Sequence, residues 1–149
     1  MSKIIIDLPL GGFIALFKFT QEIHSKNKEP IPELNSDNIP KIETALNQPF
    51  QTFDGIQLYK GLVKKAAILF YLIIDNHVIN NGNKRMACIT LSFFCFINKY
   101  NLEIDPDILE SLAKEVASPH NHELMLKRIE QAIRKHLVKV SHSKAIKSI

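Results

Sequence analysis

The sequence predicts an all-α protein, a compact bundle of about six helices with one small β-hairpin. Three observations carry this. Residues 62–74 and 86–97 are almost wholly apolar, and a helix that is apolar on every side lies buried at the centre of a bundle. Outside those stretches, apolar residues recur at spacings of three and four, the period of a helix laid on a core. Finally, 149 residues that are 46% hydrophobic suffice for one domain with a real core and argue against disorder.

Taken in order, residues 3–8 hold three consecutive isoleucines and stop at Pro9, as a short strand or an arm laid on the domain. Gly11-Gly12 breaks that segment. Phe13, Leu16, Phe17 and Ile23 follow at helical spacing, so a first helix runs to about Lys26. His24 has no partner cluster nearby and reads as a surface residue. Residues 28–36, with Pro30 and Pro32, read as loop. Ser36 or Asp37 caps a short helix that has Pro40 in its first turn and Ile39, Ile42, Ala45 and Leu46 inward, ending at Pro49. Residues 50–55 alternate in polarity and close on Asp54-Gly55, a hairpin signal. Two central helices span 56–76 and 82–100, and residues 101–104 connect to the next. Asp105-Pro106 is a helix cap followed by proline at the first helical position, with Ile108, Leu109, Leu112 and Val116 inward until Ser118-Pro119. The last helix buries Leu124, Met125, Ile129, Ile133 and Leu137. One domain therefore covers residues 1–138, and residues 139–149 form a basic, flexible tail.

Several function classes recede. The net charge of +4 is too small to indicate nucleic acid, and the helix over 86–97 is too apolar to enter a DNA groove. Cys88 and Cys95 lie seven apart in one helical pattern, a separation of about 10 Å at 1.5 Å per residue, too far for a disulfide. No Cys/His array has zinc spacing. No segment reads as a signal peptide or reaches transmembrane length, so the expected location is the cytoplasm, without membrane contact.

Chemistry is concentrated between the two central helices, in His77-Val78-Ile79-Asn80-Asn81-Gly82-Asn83-Lys84-Arg85. Residues 76–83 favour left-handed backbone, and Gly82 permits a sharp turn. The helix that follows opens with unpaired N–H groups and a positive dipole end, a place for phosphate. Lys84 and Arg85 add two cations, and His77 could act as a base toward a hydroxyl. On the residues alone, a plain helix–helix turn with solvated charges is the stronger explanation of the segment.

The pattern H-x-x-x-N-G-N-K-R resembles the Fic/Doc family signature, H-x-F-x-[D/E]-[G/A]-N-[G/K]-R, and Lys84 resembles the Doc, or death-on-curing, branch. Upstream, Ala45-Leu46-Asn47-Gln48-Pro49-Phe50-Gln51-Thr52-Phe53-Asp54-Gly55 is similar to the family's AL-x-x-P-x-QTF-x-G segment. The resemblance implies a toxin of a toxin–antitoxin pair that transfers phosphate from ATP to a hydroxyl of a protein target of the elongation factor Tu class. It implies His77 as base, Gly82, Asn83, Lys84 and Arg85 on the phosphates, and Lys84 and Arg85 offsetting developing charge. It implies Thr52, Phe53, Asp54 and Gly55 as a flap aligning the target beside the site. The AMP-transferring branch carries Gly where Lys84 stands and a second Arg where Cys88 stands, and both departures favour the Doc-like reading. Asn81 replaces the family's acid, the ligand for Mg²⁺, so weaker metal binding is expected; Asp75 or Asp54 could substitute, or Asn81-Gly82 could deamidate. The alternatives are a Fic-type AMP transferase and a degenerate member that only binds. Ser111-Leu112-Ala113-Lys114-Glu115-Val116 approaches the family's inhibitory pattern [S/T]-x-x-x-E-[G/N] but fails at its last place, and it reads as coincidence. Restraint is then expected from a separate antitoxin.

Overall fold

Helix α3 (Gly61–Asp75) is the axis of the molecule, and every residue from Lys65 to Ile74 is buried. The structure, a computed structural model, describes residues 4–25 and 30–140, the side chains of His24 and Ser25 excepted. The His24 expectation therefore lies outside what is described, as do residues 141–149 of the proposed tail. Around α3 stand α1 (Leu10–Ser25), α2 (Asn38–Asn47), α4 (Asn83–Ile97), α5 (Pro106–Ala117) and α6 (His122–His136). The all-α bundle of six helices is the observed architecture, with α4, α5 and α6 packed on α3.

The hairpin is present. Strand β1 (Thr52–Phe53) pairs antiparallel with β2 (Ile56–Gln57), in register Thr52↔Gln57 and Phe53↔Ile56. Its turn residues Asp54 and Gly55 both have positive φ, 53° and 75°, the backbone that suits the twist of two-residue hairpins. Ile56 therefore opens a strand rather than a helix, and α3 begins five residues later. Buried Lys65 clips the hairpin to α3: its Nζ donates to Gln57 Oε1 at 2.6 Å and to the Tyr59 carbonyl, and it lies 5.5 Å from the centre of the Phe50 ring. Burial lowers the Lys65 pKa from its usual value.

A second small sheet was not anticipated. Strand β3 (Tyr100–Leu102) pairs antiparallel with β4 (Leu137–Lys139), so the connector and the start of the expected tail form a ladder with Leu102 opposite Leu137. Three-residue strands carry too few residues for alternation to show. At the other end of the chain, α1 starts at Leu10 and runs through Gly11-Gly12, which do not break it. Residues 4–9 form an arm whose Ile6 exchanges two hydrogen bonds with the Asn98 side chain, at 2.7 and 3.0 Å.

Helix termini follow their caps. Asn35, not Ser36 or Asp37, caps α2: its Oδ1 accepts from the N–H groups of Asp37 and Asn38 at 2.9 and 3.2 Å. Asp105 caps α5 as expected, accepting from Asp107 N–H at 2.8 Å, and Asn121 caps α6. Met125, Ile129 and Ile133 are the buried stripe of α6. Leu124 stands one position off that period-four stripe and is exposed, as is Ile108 on α5 for the same reason. Among the described residues no helix is long and apolar enough to cross a membrane.

Candidate active site

The C-terminus of α3 aims the first functional residue. Asn76 is the cap, and His77 follows with φ of 47°, the left-handed conformation usually given to glycine. His77 N–H donates to Ile74 O at 3.2 Å and Val78 N–H to Ile73 O at 3.5 Å. These are the two paired bonds of a Schellman motif, and Val78 and Ile73, both fully buried, supply its apolar contact. The reversal turns the chain out of the core at His77 and back in at Val78. The imidazole consequently stands exposed at the rim while its neighbours anchor the loop.

The loop is then closed on itself. Asn83 Oδ1 accepts from Ile79 N–H at 3.0 Å and its Nδ2 donates to Ile79 O at 2.8 Å, a two-bond clamp across the turn. Its amide therefore fastens the loop, with the second Nδ2 hydrogen outside these two bonds. Asn80 Oδ1 accepts from Asn38, tying the loop to α2 at 3.3 Å. Gly82 takes φ of 90°, and a side-chain carbon there would meet Ile31 at 3.1 Å and Arg85 Nη2 at 3.6 Å. Only glycine suits the conformation and the space. The Arg85 guanidinium accordingly folds back over the turn.

Helix α4 starts at Asn83, and its first internal bond runs from Met86 N–H to Gly82 O at 2.9 Å. The N–H groups of Asn83, Lys84 and Arg85 precede that ladder and face outward with the positive end of the dipole. Asn81, Gly82, Asn83, Lys84 and Arg85 line one cavity of about 530 Å³, closed on its far side by Cys88 of α4 and Glu110 of α5. His77 opens instead on a neighbouring cavity of about 480 Å³, shared with Asp75 and the α5–α6 corner. The structure thus brings the anion-binding candidates together and sets the candidate base on a different cavity, at the other end of the loop.

Glu110 was missed by sequence reasoning. It lies about 30 residues downstream with no motif around it, and only the packing of α5 on α4 reveals it. Burial first, and Glu110 second, push the Cys88 thiol up to about 11. Among the described residues no group of three or more His, Cys, Asp or Glu could hold a metal. Mg²⁺ carried by substrate phosphates asks the protein for only one or two oxygens. Asn81 and Glu110 line one cavity and are the oxygen-bearing side chains that could meet such a requirement, with the Glu110 carboxylate also paired to Lys114 at 3.3 Å. Asp54 does not reach this region, because it sits at the hairpin tip.

The hairpin's position corrects an expectation. Thr52, Phe53, Asp54 and Gly55 are exposed, but they pack at the N-terminal end of α3, beside Lys65, Tyr100 and the arm. His77 follows the C-terminal end. Fifteen helical residues separate the two ends, about 21 Å at 1.5 Å per residue. The hairpin therefore does not lie beside His77. Glu115 of the inhibitory-like pattern is equally remote in role, paired with Arg128 at 3.0 Å on the α5–α6 face.

Comparison with known proteins now joins the geometry. A family model described as "Fic/DOC family" matches residues 15–95. The chain belongs to the Fic/DOC family. A curated relative, "Toxin Doc" of Mycolicibacterium smegmatis (strain ATCC 700084 / mc(2)155), is 34% identical over 88 residues, covering 58% of this chain and 68% of the relative. No solved structure matches the chain significantly.

Proposed function

We propose that this Fic/DOC member is a Doc-like toxin that transfers the γ-phosphate of ATP to a hydroxyl of a protein target, with elongation factor Tu as the target class. The observation that carries the reading is the loop between α3 and α4. It presents an exposed imidazole, held by a Schellman turn, at its start, and at its end a cavity that joins the α4 N-terminus to Lys84 and Arg85. The relative's name, Toxin Doc, supports the toxin class and with it a cognate antitoxin as partner.

In this reading His77 removes the proton from the target hydroxyl as that oxygen attacks the γ-phosphorus. The new O–P bond forms while the bond to the β-phosphate oxygen breaks, and ADP leaves with the electron pair. The N–H groups at the head of α4, with Lys84 and Arg85, stabilise charge on the transferring oxygens. The Asn83 clamp keeps those donors in place. Mg²⁺ travelling with ATP would neutralise phosphate charge beside Asn81 and Glu110. Lys84, and a neutral Cys88 where the AMP-transferring branch has arginine, favour terminal-phosphate transfer over AMP transfer.

The test is incubation with elongation factor Tu and ATP labelled at either the α or the γ position. Label from γ on the target is the expected result. Label from α would replace the proposal with AMP transfer. No label, with ATP still bound, would favour a non-catalytic binding protein, the reading that Asn81 in place of an acid supports.

A further inference from the structure

The cavity beside His77 is walled by a hydrogen-bonded group that the reaction scheme leaves without a role. Tyr71 Oη lies 2.8 Å from His120 Nε2 and 3.0 Å from His122 Nδ1, with both rings edge-on to the tyrosine. His120 Nδ1 lies 2.8 Å from the Ser118 carbonyl oxygen. A carbonyl only accepts, so a neutral His120 carries its proton on Nδ1 and presents a bare Nε2. The Tyr71 hydroxyl has one proton and two acceptors within reach, that Nε2 and the Asp75 carboxylate. Its proton is used on this side in either case, so His122 donates Nδ1–H to Tyr71 Oη. Burial, followed by the Asp75 charge, raises the Tyr71 pKa above its usual value, which keeps the phenol protonated for this task.

The group reaches the turn that carries His77. Asp75, the last residue of α3, has its carboxylate 3.8 Å from the same His120 Nε2. Tyr71 lies one helical turn before Asp75, and His77 two residues after it; all of them line the same cavity with His120 and His122. A histidine at φ of 47° is a costly conformer that persists only when its surroundings over-determine it. Val78 and Ile73 secure the inner side of the turn. On the outer side, the α5–α6 corner faces the turn across the shared cavity.

We propose that Tyr71, His120 and His122 form one positioning unit for His77, fastening the α5–α6 corner against the last turn of α3 so that the imidazole is held at the start of the loop. This rests on reading His77 as the base. The unit touches neither nucleotide nor acceptor; it acts through the Asp75–His77 turn.

The experiment uses the full chain, labelled with ¹⁵N-histidine, alongside Tyr71→Phe and His122→Ala. Wild type is expected to show His120 and His122 protonated at Nδ1, the less common tautomer of free histidine. Tyr71→Phe should speed exchange of the His77 and Val78 amides about fivefold or more, as loss of a hydrogen bond worth about 1 kcal/mol implies. Amides of Phe17 and Leu91, deep in the core, should keep their rates. Phosphate transfer should fall with KM for ATP unchanged. His122→Ala, a change at an exposed residue that spares the fold, should give a smaller effect in the same direction. The proposal is overturned if His120 is unprotonated at Nδ1, or if His77 exchange is the same in all three proteins. It is also overturned if every core amide accelerates equally, since that is general destabilisation. Absence of transfer by wild type would remove the transferase reading, while the exchange rates would still decide whether the unit holds the turn.

Discussion

Replacing His77 with glycine and, separately, with alanine isolates what the α3 turn costs the fold. The histidine occupies the left-handed position of a Schellman motif at φ of 47°. A side chain in that conformation costs about 1–2 kcal/mol. The imidazole is exposed, so its removal forfeits little burial. Glycine relieves the strain but returns about 0.5–1 kcal/mol through the greater freedom of the unfolded chain. The net gain for His77→Gly is about 0.5–1 kcal/mol, or roughly 1–4 °C in Tm for a domain of this size. His77→Ala keeps the Cβ and therefore keeps the strain, so it should gain essentially nothing. Both variants should lose phosphate transfer. Paired urea denaturations measure the difference directly, because curves of equal slope reduce it to the shift in midpoint. An alanine variant as stable as the glycine variant, or more so, would refute the claim that backbone strain is stored at His77.

The remaining predictions concern the loop and its cavity. Asn83→Ala should destabilise the fold by about 2 kcal/mol, one for each lost bond to Ile79; Asn83→Asp can still accept from Ile79 N–H but cannot donate to Ile79 O, so retention of full stability by either variant in thermal melts would contradict the clamp. Asn81→Asp should tighten Mn²⁺ binding in the presence of ADP, read by electron paramagnetic resonance, because it adds a negative hard ligand; an unchanged spectrum would show that Asn81 does not face the metal. Raised from 9.0 to about 11, the Cys88 thiol should react with iodoacetamide at pH 8 about 100-fold more slowly than a free thiol, since the thiolate is the nucleophile. The same shift sets a sign for stability. Between pH 9 and 11 the unfolded chain releases the Cys88 proton and the folded chain keeps it, so stability falls as pH rises through that window. Cys95, raised to about 12, adds a slope of the same sign there, so Cys88→Ser should reduce the fall without abolishing it.

What could be read from residues depended on how local its cause was. The α3–α4 pair was legible because both helices are apolar on every side, and the Asp54-Gly55 turn and the Asp105-Pro106 cap were legible because their chemistry lies within a few residues. The hairpin's distance from His77 was not, since nearness in sequence says nothing about which end of α3 the chain has reached. The Asn83 clamp was not legible either, since the motif position is visible and its partner, the Ile79 backbone, is not. Glu110 and the Tyr71–His120–His122 group depend on helices packing across 25 to 50 residues, which no local pattern records. The β3–β4 ladder is too short to leave a period. The left-handed backbone at His77 is the instructive case, since the favoured residues of the loop foretold such a conformation but not that the candidate base itself would adopt it.

The Asn98 side chain holds the N-terminal arm, and one residue further on Lys99 O accepts from Val140 N–H at 3.0 Å. Both flanks of the described chain are therefore gathered at the foot of α4, while the His77 loop crowns its head, a helix length of about 22 Å away. A fluorophore attached at Ile6 or Val140 would sit on the side of the molecule away from that loop. Assays tethered at those two positions can thus be built without shading the place where a target and an ATP would have to meet.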